Sequence, residues 1–197
     1  MRPHGGGIAR ACARHYLDAV NETLPSADLL RILIAPDPLL RRAARPVADA
    51  DTDEVRALIP RMLASMYHAP GIGLAAPQVG VSLRLAVIDL QRDEQRQPIV
   101  LINPEIVAHG TEIEPHEEGC LSLPGQYADV VRPREVTVRY LDEAGARQEV
   151  AADGLLARCL QHEIDHLDGI LFVDHLSALK RNMILRRLAK AQRAKEG

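Results

Sequence analysis

The chain has 197 residues, 47% apolar and 26% charged, with a formal net charge of −3. This is enough for one domain with a buried core and matches the composition of a globular protein. No apolar run approaches the ~18 residues that span a bilayer, and no net positive charge draws the chain to a polyanion, so neither a membrane role nor specific DNA binding is expected.

Cys12, Cys120 and Cys159 are an odd number at wide spacing. They do not form a disulfide framework and point to free thiols in a reducing compartment, the cytoplasm. Residues 1–28 read as a flexible N-terminal extension, because residues 1–14 lack the apolar stretch of a secretory signal. Arg2, Arg10 and Arg14, with no acid before Asp18, leave organelle targeting as the minor alternative.

Residues 29–197 form the domain. Residues 29–35 are short and apolar and meet Pro36 and Pro38, the pattern of a strand entering a proline-bounded turn. Asp51-Thr52-Asp53-Glu54 has the form of a capping box, and Val55, Leu58, Ile59, Met62, Leu63 and Met66 recur at helical spacing. Pro60 is expected to kink that helix. Residues 71–80, GIGLAAPQVG, describe backbone that something else approaches closely; without the lysine and hydroxyl residue of a phosphate loop they read as a tight turn.

Residues 84–90 and 99–102 read as a hairpin whose second strand stops at Asn103-Pro104. Residues 136–141 and 148–151 pair across a turn at 142–145. Strands and helices without regular alternation predict an α+β domain built on antiparallel sheet.

Residues 155–169, LLARCLQHEIDHLDG, carry His162, Glu163 and His166 in an H-E-x-x-H pattern. On a helix, positions four apart share one face, so both imidazoles can reach one divalent ion. Such an ion lowers the pKa of water towards about 7, and an adjacent carboxylate can take the proton. Asp153 is placed to cap this helix and Gly169 to end it. Taken alone, the motif also fits a chance match on an amphipathic helix.

A catalytic ion of this type takes three protein ligands. The metzincin pattern requires histidine at position 172, which is Phe172, and the only downstream glutamate is Glu196 at the frayed end. Cys159 and His166 are seven residues apart, roughly 10 Å along a helix, too far to share an ion with bonds of ~2.0–2.3 Å. Cys120, in EEGCLSLPG, is the best-placed upstream donor, with Gly119 allowing close approach of backbone.

With these three stretches in order, residues 71–78 (G-x-G-L-A-A-x-Q), 118–122 (E-G-C-L-S) and 161–167 (Q-H-E-x-D-H-L), the chain resembles the peptide deformylases over roughly residues 29–190. The resemblance implies antiparallel sheets around the H-E-x-x-H helix and removal of the formyl group from N-formylmethionine of new proteins. It implies Cys120, His162 and His166 as metal ligands and Glu163 as general base and acid. Gln78 and the Leu121 N–H become donors to the oxyanion. Backbone of Gly71, Ile72 and Gly73 is the partner of an extended formylmethionyl nascent peptide. Leu155 and Cys159, with Ile72, wall the methionine pocket, and Arg132 braces the helix through Asp165. The family favours Fe2+, where the ligand set alone suggests Zn2+, with Ni2+ or Co2+ as further alternatives. Pro70 and Tyr127 depart from relatives that carry an acid and an arginine there, so contacts beyond methionine are expected to differ.

Residues 177–196 read as a C-terminal helix. Leu179, Met183, Ile184, Leu188 and Ala191 form its apolar face, and seven bases with one acid occupy the rest. The bases are a solvated face or a contact to ribosomal RNA. Two rival readings are a metallopeptidase that cuts internal amides and a non-catalytic metal protein with a fourth ligand closing the site.

Overall fold

Leu85, Ala86, Val87 and Ile88 are all fully buried, which a strand achieves only with both faces covered. The computed structural model describes residues 29–91 and 96–196 and shows what covers them. In chain order the elements are α1 (Thr52–His68), β1 (Gly73–Ala75), β2 (Leu85–Ile88), β3 (Ile99–His109), β4 (Ile113–Gly119), β5 (Tyr127–Pro133), β6 (Glu135–Leu141), β7 (Arg147–Asp153), α2 (Gly154–Leu167) and α3 (Ala178–Glu196). Short 3-10 turns lie at Pro38–Arg41, Asp49–Asp51, Ala76–Val79 and Phe172–His175.

The strands form an antiparallel five-stranded sheet, ordered β1-β2-β3-β6-β7, and a separate β4-β5 hairpin. Side-chain alternation divides β1 and β2 between two cores. Leu74, Leu85 and Val87 pack with Val55, Leu58, Ile59, Met62, Leu63 and Met66 of α1. Ala75, Ala86 and Ile88 pack with Ala157, Leu160, Ile164 and Leu167 of α2. Alanines on the α2 side let that helix lie close to the sheet, with the H-E-x-x-H segment over its β1 edge. A third cluster joins Leu123 and Val130 of the hairpin region to Phe172, Ile184 and Leu188.

The structure corrects several expectations. Residues 29–35 form no ladder; Leu33 N–H donates to Gln78 O and Ala35 N–H to Ser122 O, so this extended segment ties two motif stretches together. β3 runs through Asn103-Pro104 to His109, because Asn103 takes a positive φ of 51° at a register shift and the strand resumes beyond it. Asp51 does not cap α1 through its side chain; that carboxylate accepts from Arg45 and the Ala48 N–H instead. Asp153 likewise makes no side-chain cap on α2. Pro60 stands inside a continuous α1. Residues 73–75, read as part of a turn, form edge strand β1, and β4 and β5 were not anticipated.

α2 ends at a glycine as expected. Gly169 has φ of +75°, and a Cβ there would lie 2.8 Å from the Arg41 backbone. α3 exists, but its inward face is Ile184 and Leu188; Leu179 is 75% exposed, Met183 is 44% exposed and Ala191 is exposed. The third core cluster takes in Ile184 and Leu188, while Leu179 and Met183 stand exposed with the bases. Among the described residues no helix is long and apolar enough to cross a membrane. Residues 1–28 lie outside the described residues, so the expected extension is not addressed by the fold.

Candidate metal centre

α2 presents His162 and His166 one turn apart, with ring centroids 5.0 Å apart in an edge-on arrangement. Cys120 follows directly after β4, whose pairing with β5 turns the chain back over α2. Its Sγ lies 3.2 Å from His166 Nε2. Donor atoms of Cys120, His162 and His166 all fall within 4.8 Å of one another. From metal–sulfur and metal–nitrogen bonds of about 2.3 and 2.1 Å, a tetrahedral ion separates S and N donors by about 3.6 Å. One thiol and two imidazoles at this spacing therefore fit a divalent transition ion.

The imidazoles are oriented for that task. His162 Nδ1 lies 2.9 Å from Glu118 Oε2, which leaves Nε2 towards the cluster. The His162 ring stacks on Phe172 at 6.5 Å with a 21° tilt. Burial works against protonation of His162, but the Cys120 sulfur and Glu118 outweigh it and hold its pKa well above the usual value. His166 is pushed well below, by burial and then by the His162 charge, which favours the neutral imidazole that a metal would need.

Behind the imidazoles lies a buried ionic network. Arg132 donates from Nε to Glu118 Oε1 at 2.5 Å, from Nη2 to Glu118 Oε2 at 3.1 Å and from Nη1 to Asp165 Oδ2 at 2.8 Å. His175 Nε2 lies 2.7 Å from the same Asp165 oxygen. Arg132 and Asp165 therefore meet, and Glu118 joins Arg132 to His162. Burial alone raises the Glu118 carboxyl, yet the hydrogen bonds from His162 and Arg132, with the Arg132 charge, hold it at about 2.

Glu163 is 3% exposed and held at about 7, chiefly by burial. Its Oε2 has no partner among the described residues. A Cβ on Gly73 would overlap Glu163 Oε1 and come within 3.0 Å of Cys159 Sγ, so only glycine admits this carboxylate against β1. Gly119 serves a different purpose from the one expected: a Cβ there would meet the Tyr127 ring at 2.6 Å. Gln78, also buried, accepts from Ala75 N–H at 2.8 Å through Oε1 and points Nε2 at Ser122 Oγ (3.1 Å) and Cys120 Sγ (3.6 Å).

A pocket of about 500 Å³ opens onto this cluster, and Gly71, Ile72, Gly73, Gln78, Cys120, Leu121, Leu155, Cys159, His162 and Glu163 line it. Pro70 and Tyr127 line it as well. His166, Arg132 and Asp165 do not and sit behind. Burial, then the charges of Glu163 and Glu118, raises the Cys159 thiol well above its usual range, so this cysteine is an apolar wall. Ile72 C=O accepts from Asp89 N–H at 2.9 Å, so strand alternation turns the backbone groups of Gly73 towards the open edge of β1.

Sequence reasoning missed Glu118, Phe172 and His175 as parts of the site. Glu118 and Cys120 are two apart at a strand end, a spacing that gives them a common side; nothing local marks Phe172 or His175.

Residues 29–182 match the polypeptide deformylase family. The peptide deformylase of Rhizobium meliloti (strain 1021) is 52% identical over 165 residues, covering 83% of this chain and 94% of that protein. That of Rhizorhabdus wittichii is 56% identical over 171 residues, covering 84% and 96%. The crystal structure of a Legionella pneumophila peptide deformylase superposes with a TM-score of 0.79 at 52% identity, over 85% of this chain and 98% of that one. The Synechococcus elongatus enzyme in complex with actinonin gives 0.77 at 50% identity, over 83% and 89%.

Glu118 carries a pH dependence of stability. Its folded pKa of about 2 lies below the ordinary 4.5, so its contribution is present above pH 4.5 and is lost as pH falls towards 2. In metal-free protein, Glu118→Gln lowers unfolding free energy by about 3 kcal/mol at pH 7 and by about 2 kcal/mol at pH 3.5. Urea denaturation at both pH values checks this; an equal loss at each contradicts it.

Proposed function

The chain belongs to the polypeptide deformylase family, and from that premise we propose how its own residues divide the work of the reaction. The protein hydrolyses the formamide bond of N-formylmethionine at the start of new proteins, releasing formate and a free amino terminus. The enzyme is metal-dependent, and Cys120, His162 and His166 are the residues that hold the ion. The observation that carries this assignment is their convergence within 4.8 Å beside a pocket that Cys120, His162 and Glu163 line.

When bound, the ion supplies Lewis acidity, lowering the pKa of water and polarising a carbonyl oxygen. Glu163 takes the proton from the attacking water and returns it to the departing methionine nitrogen. Burial that holds its pKa at about 7 suits a group that must do both near neutrality. The Gln78 amide, fixed by its bond from Ala75 N–H, and the Leu121 N–H stabilise the negative charge that develops on the formyl oxygen.

The peptide pairs along the open edge of β1, where Gly73 offers main-chain groups. Main-chain recognition suits many nascent sequences. Methionine enters between Ile72, Leu155 and Cys159. Arg132 holds Asp165 on α2 and, through Glu118, the His162 ring. Residues 29–197 constitute the catalytic domain, and the protein works in the cytoplasm.

Fe2+ is the ion in the cell; the soft thiolate and two imidazoles also accept Zn2+, Ni2+ or Co2+. The outward face of α3, where Arg186, Arg187 and Lys190 stand exposed, binds ribosomal RNA and keeps the enzyme near emerging chains.

Three outcomes follow. Formate release from formyl-Met-Ala-Ser falls at least about 10³-fold in Glu163→Gln and about 10²- to 10³-fold in Gln78→Ala; near-native turnover in either removes that residue's role, and cleavage of internal amides returns the metallopeptidase. Anaerobically purified protein contains iron and loses activity in hydrogen peroxide; full retention points to zinc. Ribosome binding weakens steeply between 50 and 200 mM salt, and binding that survives deletion of residues 177–197 removes the α3 contact.

A further inference from the structure

One cation in the pocket wall has no part in the chemistry described so far. Arg158 lines the same pocket as Cys159, His162 and Glu163 and is half-buried. Its guanidinium makes no ion pair or hydrogen bond among the described residues. Arg132, by contrast, satisfies two carboxylates. A guanidinium carries five donors, and a long stem of this kind covers apolar wall while its head stays towards water. A half-withdrawn cation with no partner among the described residues, at a peptide-binding pocket, is poised for a negative group that arrives with the peptide.

The spacing indicates which part of the peptide that is. Arg158 precedes His162 by four residues on the same face of α2, about 6 Å along the helix axis. An extended peptide places the side chains of its first and third residues on one face, about 6.6–6.8 Å apart. With the formyl group at the Cys120, His162 and His166 cluster and methionine against Leu155 and Cys159, the third side chain lies on the methionine side of the peptide, farther from the cluster along the pocket wall that Arg158 lines. We propose that Arg158 selects for an acidic side chain at the third residue of the formylated peptide, which rests on the deformylase reading and on an extended peptide along β1.

A counter-charge is close by. Glu117 of β4 also lines the pocket, and it opposes an acidic side chain. It is exposed, so solvent and salt screen it more than the half-buried Arg158, which sets the sign of the preference.

The test compares kcat/KM, by formate release at low salt, for formyl-Met-Ala-Asp, formyl-Met-Ala-Ala and formyl-Met-Ala-Lys. The unsubstituted enzyme is expected to prefer Asp over Lys about 5- to 10-fold. Arg158→Lys retains the sign, Arg158→Ala brings the ratio near one, and Arg158→Glu inverts it. A ratio near one in the unsubstituted enzyme, or a ratio untouched by Arg158→Glu, overturns the proposal. So does a preference that Arg158→Glu inverts in formyl-Met-Asp-Ala against formyl-Met-Lys-Ala but not at the third residue. Turnover of formyl-Met-Ala-Ala reports the deformylase reading separately, so lost charge preference with that turnover intact counts against Arg158 alone.

Discussion

Two imidazoles four residues apart on one helix can share an ion only if a third donor reaches them from another element, and that constraint organises this molecule. α2 cannot supply the donor, since Cys159 is a turn too far from His166 and points with Ile72 into the pocket wall. The hairpin β4-β5 supplies it by crossing α2, so that the residue just after β4 brings Sγ to 3.2 Å from His166 Nε2. Everything that fixes the crossing therefore contributes to the site. Arg132 on β5 grips Glu118 on β4 and Asp165 on α2, and Phe172 closes the cluster from beyond the helix.

The same crossing explains the electrostatics. A buried arginine shared by two carboxylates is costly to desolvate and holds only with near-complete hydrogen bonding. Here that bonding extends to the His162 imidazole on one side, through Glu118, and to His175 on the other, through Asp165. Glu163 is left out of the network. It sits against glycine in β1, buried and without a partner for Oε2, which raises its pKa to about 7 while Glu118, a paired carboxylate in the same region, sits at about 2. Two carboxylates separated by environment in this way suit different tasks, Glu118 fixing the His162 ring and Glu163 standing near its protonation midpoint at neutral pH.

Much of this was legible in the chain. H-E-x-x-H carries its geometry in its spacing; the elimination of Cys159 as a ligand needed only helix rise and bond lengths, and Phe172 and Glu196 failed on residue type and position. Helix α1 was legible because its apolar residues recur at helical spacing, and strand β2 because it is a short continuous apolar run. What was not legible depends on contacts between distant segments. β4 and β5 carry prolines, charges and an exposed Val131, so local pattern does not announce a hairpin whose stabilisation comes from Arg132 and the third core cluster. β1 is only three residues long and exists because β2 pairs with it. The inward face of α3 was assigned too broadly because five apolar residues at helical spacing do not reveal how wide a surface receives them. Gly73 shows the same limit: its glycine was marked as a place of close approach, but that the visitor is the Glu163 carboxylate follows only from the fold.

The central claim is that one sulfur and two imidazole nitrogens bind a single ion. X-ray absorption at the metal edge of the loaded protein tests it most directly. The account predicts one sulfur neighbour at about 2.3 Å and two nitrogen neighbours at about 2.0–2.1 Å, with the sulfur signal lost in Cys120→Ser. A shell of nitrogen and oxygen alone in the unsubstituted protein, or a sulfur neighbour that persists in Cys120→Ser, contradicts it.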